Sequence, residues 1–326
     1  MTPPKTQILL ATYNGERFLE EQLTSILSQT HTDWEIIARD DGSTDRTPDI
    51  LAAFEEKHPD KIKIIKDTDG NLGYGHNFSR LMEHSTADII CFADQDDIWH
   101  EDKIERGIEC LEDMQEEYGH ETPLLVHHDF STISSNGDEI SGSYNLVSNM
   151  GKENGSLNHI LIQNVVHGFS AIANRALIDK ASPLPKSETS HDHHIALVAS
   201  TFGHIEYMDE PMAKYRIHDQ NVLGNNETLY DKFRNNMSVK NVFNGKSLAA
   251  VKTAFSTAHE KLDDKCTTAK SFLNQYGDDI PEKSRKALED FARLSDANPL
   301  ERKALIVKNG FLPTSPKLAA AFIVLG

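Results

Sequence analysis

The chain has 326 residues, 38% of them hydrophobic and 26% charged, a balance typical of a folded globular protein and not of a disordered or collagen-like one. Its net charge of −18 argues against general nucleic-acid binding, which needs clustered basic residues. Three scattered cysteines exclude a disulfide framework, and no apolar run reaches the roughly 18 residues of a membrane span. We therefore expect a cytoplasmic protein.

The first 120 residues alternate apolar runs with segments of helical spacing. In chain order they predict a strand at 7–13, a helix at 16–29, a strand at 34–39, a helix from Ser43 or Thr44 to about Phe54, a strand at 62–65, a helix at 75–84, a strand at 88–93 and a helix at 101–118. This alternation predicts an α/β fold, with a mostly parallel Rossmann-like sheet and helices on both faces.

The rest of the chain is less regular. It predicts a strand at 124–126, a loop entering a strand at 165–173, a helix at 191–202, and short strands around Tyr207 and at 214–217. Apolar residues at steps of three and four over 248–276 predict a C-terminal helical extension. We expect a catalytic domain at 1–225 and a helical region at 226–326. The helical spacing also fits a coiled-coil seam, although packing onto the first domain is favoured.

Polar clusters follow three of the predicted strands. Thr12 to Asn14, Asp40-Asp41 and Asp94 to Asp97 each come directly after an apolar run. The carboxyl ends of parallel strands meet at one edge of a sheet, and ligands of such sheets bind there. The three clusters therefore predict a ligand site at that edge.

Asp94-Gln95-Asp96 can hold a hard divalent cation, with water and ligand phosphates completing its shell. The alternative is an ordinary acidic turn before the next helix, but the strand context and the second acidic cluster favour the metal. Asp40 to Ser43 by itself is an ordinary strand-to-helix turn, and its functional interpretation is a carboxylate that binds the polar edge of a base or ribose. Asn71 to Gly75 lacks the lysine and full glycine pattern of a phosphate loop and is interpreted as a turn.

The run His191 to His194 resembles a metal cluster, but neighbouring helical residues point in different directions and cannot all bind one ion. A zinc hydrolase is therefore disfavoured, and Asp192 is a candidate general base. His218 follows a predicted strand, where an isolated imidazole is either structural or a metal ligand.

In this order the segments resemble bacterial family 2 inverting glycosyltransferases of fold A, with a rhamnosyltransferase-like branch as the nearest group. The matching segments are Ala11 to Glu16, Ser25 to Thr30, Arg39 to Asp45, Asn71 to Gly73, Asn77-Phe78, Ala93 to Trp99, Lys103-Ile104, His167-Gly168, His191-Asp192 and Tyr215 to His218. Together they cover roughly residues 5–225.

The resemblance implies a role for each matching residue. Asp192 would be the catalytic base, and Asp96 and His218 would bind Mn²⁺ or Mg²⁺. The implied donor-nucleotide residues are Thr12, Tyr13, Asp41, Asp94 and Asn77. The residues implied on the acceptor or sugar side are Trp99, Gly168 and His191, with an acceptor loop at 131–160.

The implied reaction moves a sugar from a nucleoside-diphosphate donor, either dTDP-rhamnose or a UDP-sugar, to a hydroxyl of a growing cell-surface glycan such as O-antigen or capsule. The alternatives are a non-catalytic nucleotide-sugar-binding protein and a nucleotidyltransferase that makes nucleotide sugars. The apolar end at 318–326, with basic residues before it, fits either a docked helix or peripheral contact with the inner face of the plasma membrane, where a lipid-linked acceptor would lie.

Overall fold

The computed structural model describes residues 6–148, 155–186, 188, 190–219, 221 and 248–313. Its N-terminal half follows the predicted alternation of strands and helices. The elements are β1 (Thr6–Thr12), α1 (Leu19–Leu27), β2 (Trp34–Asp40), α2 (Thr47–Lys57), β3 (Ile62–Ile64), α3 (Tyr74–His84), β4 (Ile89–Ala93), β5 (Ile98–Trp99) and α4 (Lys103–Tyr118).

The second half is more regular than the sequence predicts. It contains β6 (Leu124–Ser134), β7 (Glu139–Ser141), α5 (Tyr144–Ser148), α6 (Leu157–Ile160), a 3₁₀ turn (Gly168–Ser170), β8 (Ala171–Asn174), α7 (Arg175–Ala181), α8 (His191–Phe202), β9 (His204–Ile217), α9 (Leu248–Tyr276), a second 3₁₀ turn (Gly277–Asp279), α10 (Glu282–Ala292) and α11 (Pro299–Asn309). The two short strands expected near Tyr207 and at 214–217 are one long strand, because β9 pairs with β6 from Leu124 to Ser134.

Helix α2 begins at Thr47, so the predicted start at Ser43 or Thr44 is wrong. The Ser43 hydroxyl donates to Asp40 Oδ1 at 2.5 Å and is therefore committed to the preceding turn. Asp45 instead accepts the backbone N–H of Thr47 at 2.9 Å and its hydroxyl at 2.6 Å. The longer turn holds the end of β2 against the loop after β1.

The strands form one sheet in the order β3-β2-β1-β4-β8-β6-β9-β5, with β7 on β6. β1 pairs in parallel with both β2 and β4, and β2 pairs in parallel with β3. Beyond β4 the sheet is mixed, because β8 runs antiparallel to β4 and β6 while β6 and β9 are parallel. Successive strands move outward from β1 on one side and β4 lies on the other, so a crevice forms at the carboxyl ends of β1 and β4.

Each face of the sheet carries its own apolar core. Helices α1, α2 and α4 cover one face with residues such as Leu23, Leu51 and Leu111. Helices α3, α6, α7 and α8 cover the other face, and the same core includes Phe272 and Phe291 from the C-terminal helices. From Leu262 onward the C-terminal helices therefore pack onto the sheet domain.

The expected domain break near 224–226 and the apolar end at 318–326 lie outside the described residues. Within the described ranges, no helix combines the length and apolar composition required to cross a bilayer.

Gly203 closes α8 directly against the chain before β6. A Cβ atom at this position would lie 1.8 Å from the carbonyl oxygen of Pro123, a backbone atom that cannot move aside cheaply. We expect Gly203→Ala to lower the free energy of unfolding by about 1–3 kcal/mol, measured by urea denaturation. The matched control is Gly142→Ala, where the nearest atom lies 3.8 Å away. Equal stability of the two variants would contradict this packing.

Candidate active site

The turn after β1 is fastened to the turn after β2 by a set of polar contacts. The Thr12 hydroxyl donates to Asp40 Oδ1 at 3.0 Å, and the Ser43 backbone N–H donates to Asp40 Oδ2 at 2.8 Å. Asn14, which has a positive φ of 49°, donates its backbone N–H to Ser43 Oγ at 2.8 Å. Thr12 is buried, whereas Tyr13 is 49% exposed, so Tyr13 presents its ring to the crevice edge.

Asp41 lies in a buried network centred on Arg39. The Arg39 guanidinium donates to Asp41 Oδ1 at 2.7 Å and to Asp67 Oδ2 at 2.8 Å. Burial alone would lower the pKa of Arg39, but the hydrogen bonds and charges of Asp67 and Asp41 outweigh it and raise that pKa. Asn77 accepts from Arg39 at 3.1 Å. Asn77 is 2% exposed, so it lies beneath the surface of the crevice, where it contacts Arg39.

The same network shapes the loop at Asn71 to Gly73. The backbone N–H groups of Leu72 and Gly73 donate to the two oxygens of Asp41, each at 2.8 Å. The Arg39 guanidinium also donates to the Gly70 carbonyl at 2.9 Å. A buried ion pair thereby fixes the backbone of a loop at the edge of the crevice.

Asp94, Gln95 and Asp96 follow β4 at the expected edge of the sheet. Gln95 accepts the Tyr13 N–H at 2.8 Å and donates to the Tyr13 carbonyl at 2.9 Å, which joins the turn after β4 to the turn after β1. Gly15 is required beneath this clamp, because a Cβ there would lie 2.2 Å from Gln95 Oε1. The side chain of Gln95 is therefore committed to holding the two turns together.

The structure brings the two predicted metal ligands together across 122 positions of sequence. Asp96 Oδ2 and His218 Nε2 are 2.8 Å apart, with side chains 13% and 5% exposed. Arg216 holds the same turn by donating Nε to the Asp96 carbonyl at 3.0 Å and its backbone N–H to Asp97 Oδ1 at 3.2 Å. Burial and the charges of Asp96 and Asp94 raise the pKa of Asp97.

Asp192 lies in the first turn of α8, close enough to Asp94 for its charge to act on that carboxyl group. Burial, then the charges of Asp96 and Asp192, raise the pKa of Asp94 to about 7. Two other carboxylates therefore act on Asp94, which makes this edge of the sheet strongly acidic. Within the described ranges no group of three His, Cys, Asp or Glu side chains is arranged to hold a metal ion, and Asp96 and His218 contact each other directly.

One oxygen of Asp192 is fixed by the protein. Asp192 Oδ1 accepts from the Ser190 hydroxyl and from the His193 backbone N–H. Within the described residues, Oδ2 has no hydrogen-bond partner. Tyr74 lies beside this group: its side chain is hydrogen-bonded to Ser190, and partial desolvation and the Asp192 charge raise the pKa of its phenol.

The residues predicted on the acceptor side lie mostly below the surface. His191 is 3% exposed and stacks on Phe78 with ring centroids 3.9 Å apart, and burial lowers its pKa to about 4. Gly168 packs against it so closely that a Cβ would lie 2.5 Å from His191 Nε2. Trp99 is 3% exposed and contributes to a groove of about 580 Å³ beside α1. The predicted acceptor loop at 131–160 includes the end of β6, β7, α5 and α6.

The sequence profile of glycosyl transferase family 2 matches residues 7–119, which contain the crevice and the acidic turn. The dTDP-rhamnosyl transferase RfbG of Shigella flexneri is 30% identical over 259 residues, which cover 76% of this chain and 84% of that protein. This chain belongs to glycosyl transferase family 2. An uncharacterized glycosyltransferase of Nostoc sp., alr2836, is 30% identical over 223 residues, which cover 67% of this chain and 66% of that protein.

Solved structures share the fold of this family 2 glycosyltransferase. S. aureus TarS 1–349 in complex with UDP-GlcNAc superposes with a TM-score of 0.53 at 16% identity, covering 98% of this chain and 89% of that one. Mannosyltransferase PcManGT from Pyrobaculum calidifontis, in complex with GDP-Man and Mn²⁺, superposes with a TM-score of 0.51 at 18% identity, covering 99% and 85%. The fold is the expected fold A, and the protein is an inverting, nucleotide-sugar-dependent glycosyltransferase.

The structure of this glycosyltransferase adds residues to the site that the sequence alone did not assign. Arg39 and Lys103 both lie within the matched motifs, but only their burial shows that they are internal cations. Burial lowers the pKa of the Lys103 ammonium to about 7, against the opposing effect of nearby acidic groups including Asp97 and Asp94. Gln95 occupies the middle of the acidic motif, where its side chain is a clamp and not a ligand.

The Arg39–Asp41 pair gives a direct test of the network beneath the crevice. Both side chains are about 2–3% exposed, and removing one partner leaves a buried charge uncompensated. We expect Arg39→Met to lower the free energy of unfolding by about 3–5 kcal/mol in chemical denaturation. The control is Arg46→Met: Arg46 pairs with Glu16 at the surface, and such pairs contribute at most about 1 kcal/mol. Equal losses in the two variants would contradict the role of the buried pair.

Proposed function

We propose that this glycosyltransferase uses Asp192 as its general base, in a metal-dependent transfer of a sugar from a nucleoside-diphosphate donor to a hydroxyl of a growing cell-surface glycan. The observation that carries the proposal is the position of Asp192. Asp192 directly follows His191, whose ring centroid lies 5.4 Å from that of Phe92 in β4, and Asp94 directly follows β4, so the start of α8 lies beside the acidic turn. Because Asp192 Oδ1 already accepts two hydrogen bonds, Oδ2 is the oxygen proposed to receive the proton.

The proposed reaction is a single displacement. Asp192 Oδ2 takes the proton of the acceptor hydroxyl as the acceptor oxygen forms a bond to the anomeric carbon. The bond between that carbon and the diphosphate oxygen breaks on the opposite face, and the nucleoside diphosphate leaves with the electron pair. A carboxylate is a much weaker base than an alkoxide, so Asp192 accepts the proton only as the acceptor oxygen becomes acidic during attack. Positioning therefore contributes more than basicity.

The donor nucleotide is proposed to bind along the turns after β1, β2 and β4. Tyr13 is 49% exposed and can contact the base or ribose directly, together with the partly buried Asp94. Three buried residues support the pocket from below. Thr12 is hydrogen-bonded to Asp40, and Asp41 to the backbone of Leu72 and Gly73. Asn77 is hydrogen-bonded to Arg39. Asp41 Oδ2 accepts a hydrogen bond from the Gly73 backbone N–H, and a carboxylate oxygen can accept a further one from a base N–H.

Asp96 and His218 are proposed to hold Mn²⁺ or Mg²⁺. Carboxylate and imidazole are both ligands of Mn²⁺, and the diphosphate and water would supply the remaining donors. A bound cation would offset the negative charge that develops on the departing diphosphate. The protein's own contribution is to keep Asp96 and His218 together through Arg216 and the end of β9.

For the donor we propose dTDP-rhamnose first and a UDP-sugar second. RfbG, a dTDP-rhamnosyl transferase, is similar over 84% of its length. The proposed acceptor is a glycan of the O-antigen or capsule type, lipid-linked at the inner face of the plasma membrane. Trp99, Gly168 and His191 are proposed to support the acceptor side from beneath. Gly168 packs against His191 at the start of α8, and His191 stacks on Phe78.

The nucleotide and the base can be tested together. We expect one of UDP, dTDP, GDP and CDP to raise the melting temperature in the presence of Mn²⁺, because a ligand of the folded state stabilises it by mass action. Asp192→Asn should keep this shift, while release of nucleoside diphosphate from the matching sugar donor falls about 10²–10⁴-fold. Asp113→Asn, an exposed carboxylate on α4, is the control. Equal loss of binding and turnover in Asp192→Asn would contradict its assignment as base.

The metal site can be located without a substrate, because the chain contains two tryptophans, Trp34 and Trp99. Trp99 follows Asp96 by three residues, within roughly 11 Å along the chain, whereas Trp34 begins β2 roughly 20 Å from its carboxyl end. In 5-fluorotryptophan-labelled protein we expect paramagnetic Mn²⁺ to broaden the ¹⁹F signal of Trp99 more than that of Trp34. Mg²⁺ serves as the diamagnetic control. Unselective broadening, or the same effect in Asp96→Asn, would argue against this site.

A further inference from the structure

Lys103 is a cation enclosed entirely within the protein. It is the first residue of α4, and its side chain is fully buried. Its ammonium lies 3.5 Å from the centroid of the Trp99 ring and donates to the Phe169 carbonyl at 2.6 Å. Burial removes the hydration of an ammonium group, so the group must be hydrogen-bonded or paired inside the protein. Lys103 therefore joins two parts of the chain that are 66 positions apart.

On one side, Lys103 contacts the end of the acidic turn. Trp99 belongs to β5, which follows Asp94 to Asp97 directly, and its backbone N–H is held by Ser25 Oγ at 3.1 Å. The Lys103 charge also acts on both Asp94 and Asp97. Lys103 thus lies against the donor side of the crevice without reaching its surface.

On the other side, Lys103 holds the 3₁₀ turn Gly168–Ser170. Gly168 lies against the start of α8: a Cβ on it would be 2.5 Å from His191 Nε2 and 3.8 Å from Asp192 Cβ. The Phe169 ring stacks on Tyr215 of β9 with centroids 5.2 Å apart. Any shift of this turn is therefore passed to His191, and through the first turn of α8 to the adjacent Asp192.

We propose that Lys103 is a positioning residue, which sets the distance between the donor side of the crevice and the base Asp192 by anchoring the Gly168–Ser170 turn through the Phe169 carbonyl. The inference rests on the proposed function, since it assigns Asp192 as the base. Its physical basis is steric and polar: without the ammonium, the buried Phe169 carbonyl loses a donor and the turn loses its fixed point. A misplacement of about 1 Å in the reacting groups is enough to cost about 10²-fold in rate.

Lys103→Met tests this role, because methionine fills much of the same space without a donor. We expect kcat for nucleoside diphosphate release to fall about 100-fold. The Kd of the nucleotide with Mn²⁺, measured by calorimetry, should stay within about threefold of wild type, because the nucleotide contacts lie on β1, β2 and β4. Leu111→Ala, also fully buried on α4, is the control for lost stability, and its folded fraction should keep the wild-type kcat.

An unchanged kcat in folded Lys103→Met, or a loss of nucleotide affinity as large as the loss of kcat, would overturn the proposal. If Lys103→Met does not fold, Lys103→Arg gives the second test. Its larger head group cannot place a donor at the same point in a filled site, so kcat should fall at least tenfold with Kd retained, and an unchanged kcat would overturn the proposal. A wild-type protein that shows no metal-dependent nucleotide binding would instead refute the proposed function.

Discussion

Mutual repulsion among carboxylates is the constraint on which the active site depends. Asp94, Asp96, Asp97 and Asp192 are brought to one edge of the sheet, where burial and their own charges raise the pKa of Asp94 and Asp97. Two basic side chains lie near these carboxylates, on the side away from the crevice. Arg216 holds the backbone of the acidic turn, and Lys103 lies beneath it.

The N-terminal half could be predicted closely from the sequence, because its strands are short apolar runs buried on both faces and its helices have one apolar side. The second half could not. In β9 the run Asp209-Glu210-Pro211 interrupts the strand pattern, and the register against β6 shifts where Pro211 lies opposite Asp129. A proline has no N–H for the ladder, so it is accommodated at an irregularity that divides one strand into two apparent ones.

The candidate site could also be predicted only in part. Asp96 and His218 were predicted as partners from the family resemblance, and the fold places them 2.8 Å apart. The supporting contacts could not be predicted, because they depend on residues that meet only in three dimensions. Lys103 gives no sign in the sequence of its bond to Phe169, and Arg39 none of its bond to Asp67. The hydrogen bond between Gln95 and Tyr13 is also a tertiary contact. It could not be predicted, because the acidic residues on either side of Gln95 indicate metal binding.

The antiparallel joint between β4 and β8 has an evolutionary consequence. Only three residue pairs connect these strands, and they lie between the parallel strands β1 to β4 and the mixed part of the sheet, which is made of β5 to β9. The family profile covers residues 7–119, which include the parallel strands and β5 but none of β6 to β9. A narrow joint of this kind lets the two parts change at different rates. Substitutions in β6 to β9 can then accumulate without disturbing the parallel ladders of β1 with β2 and β4.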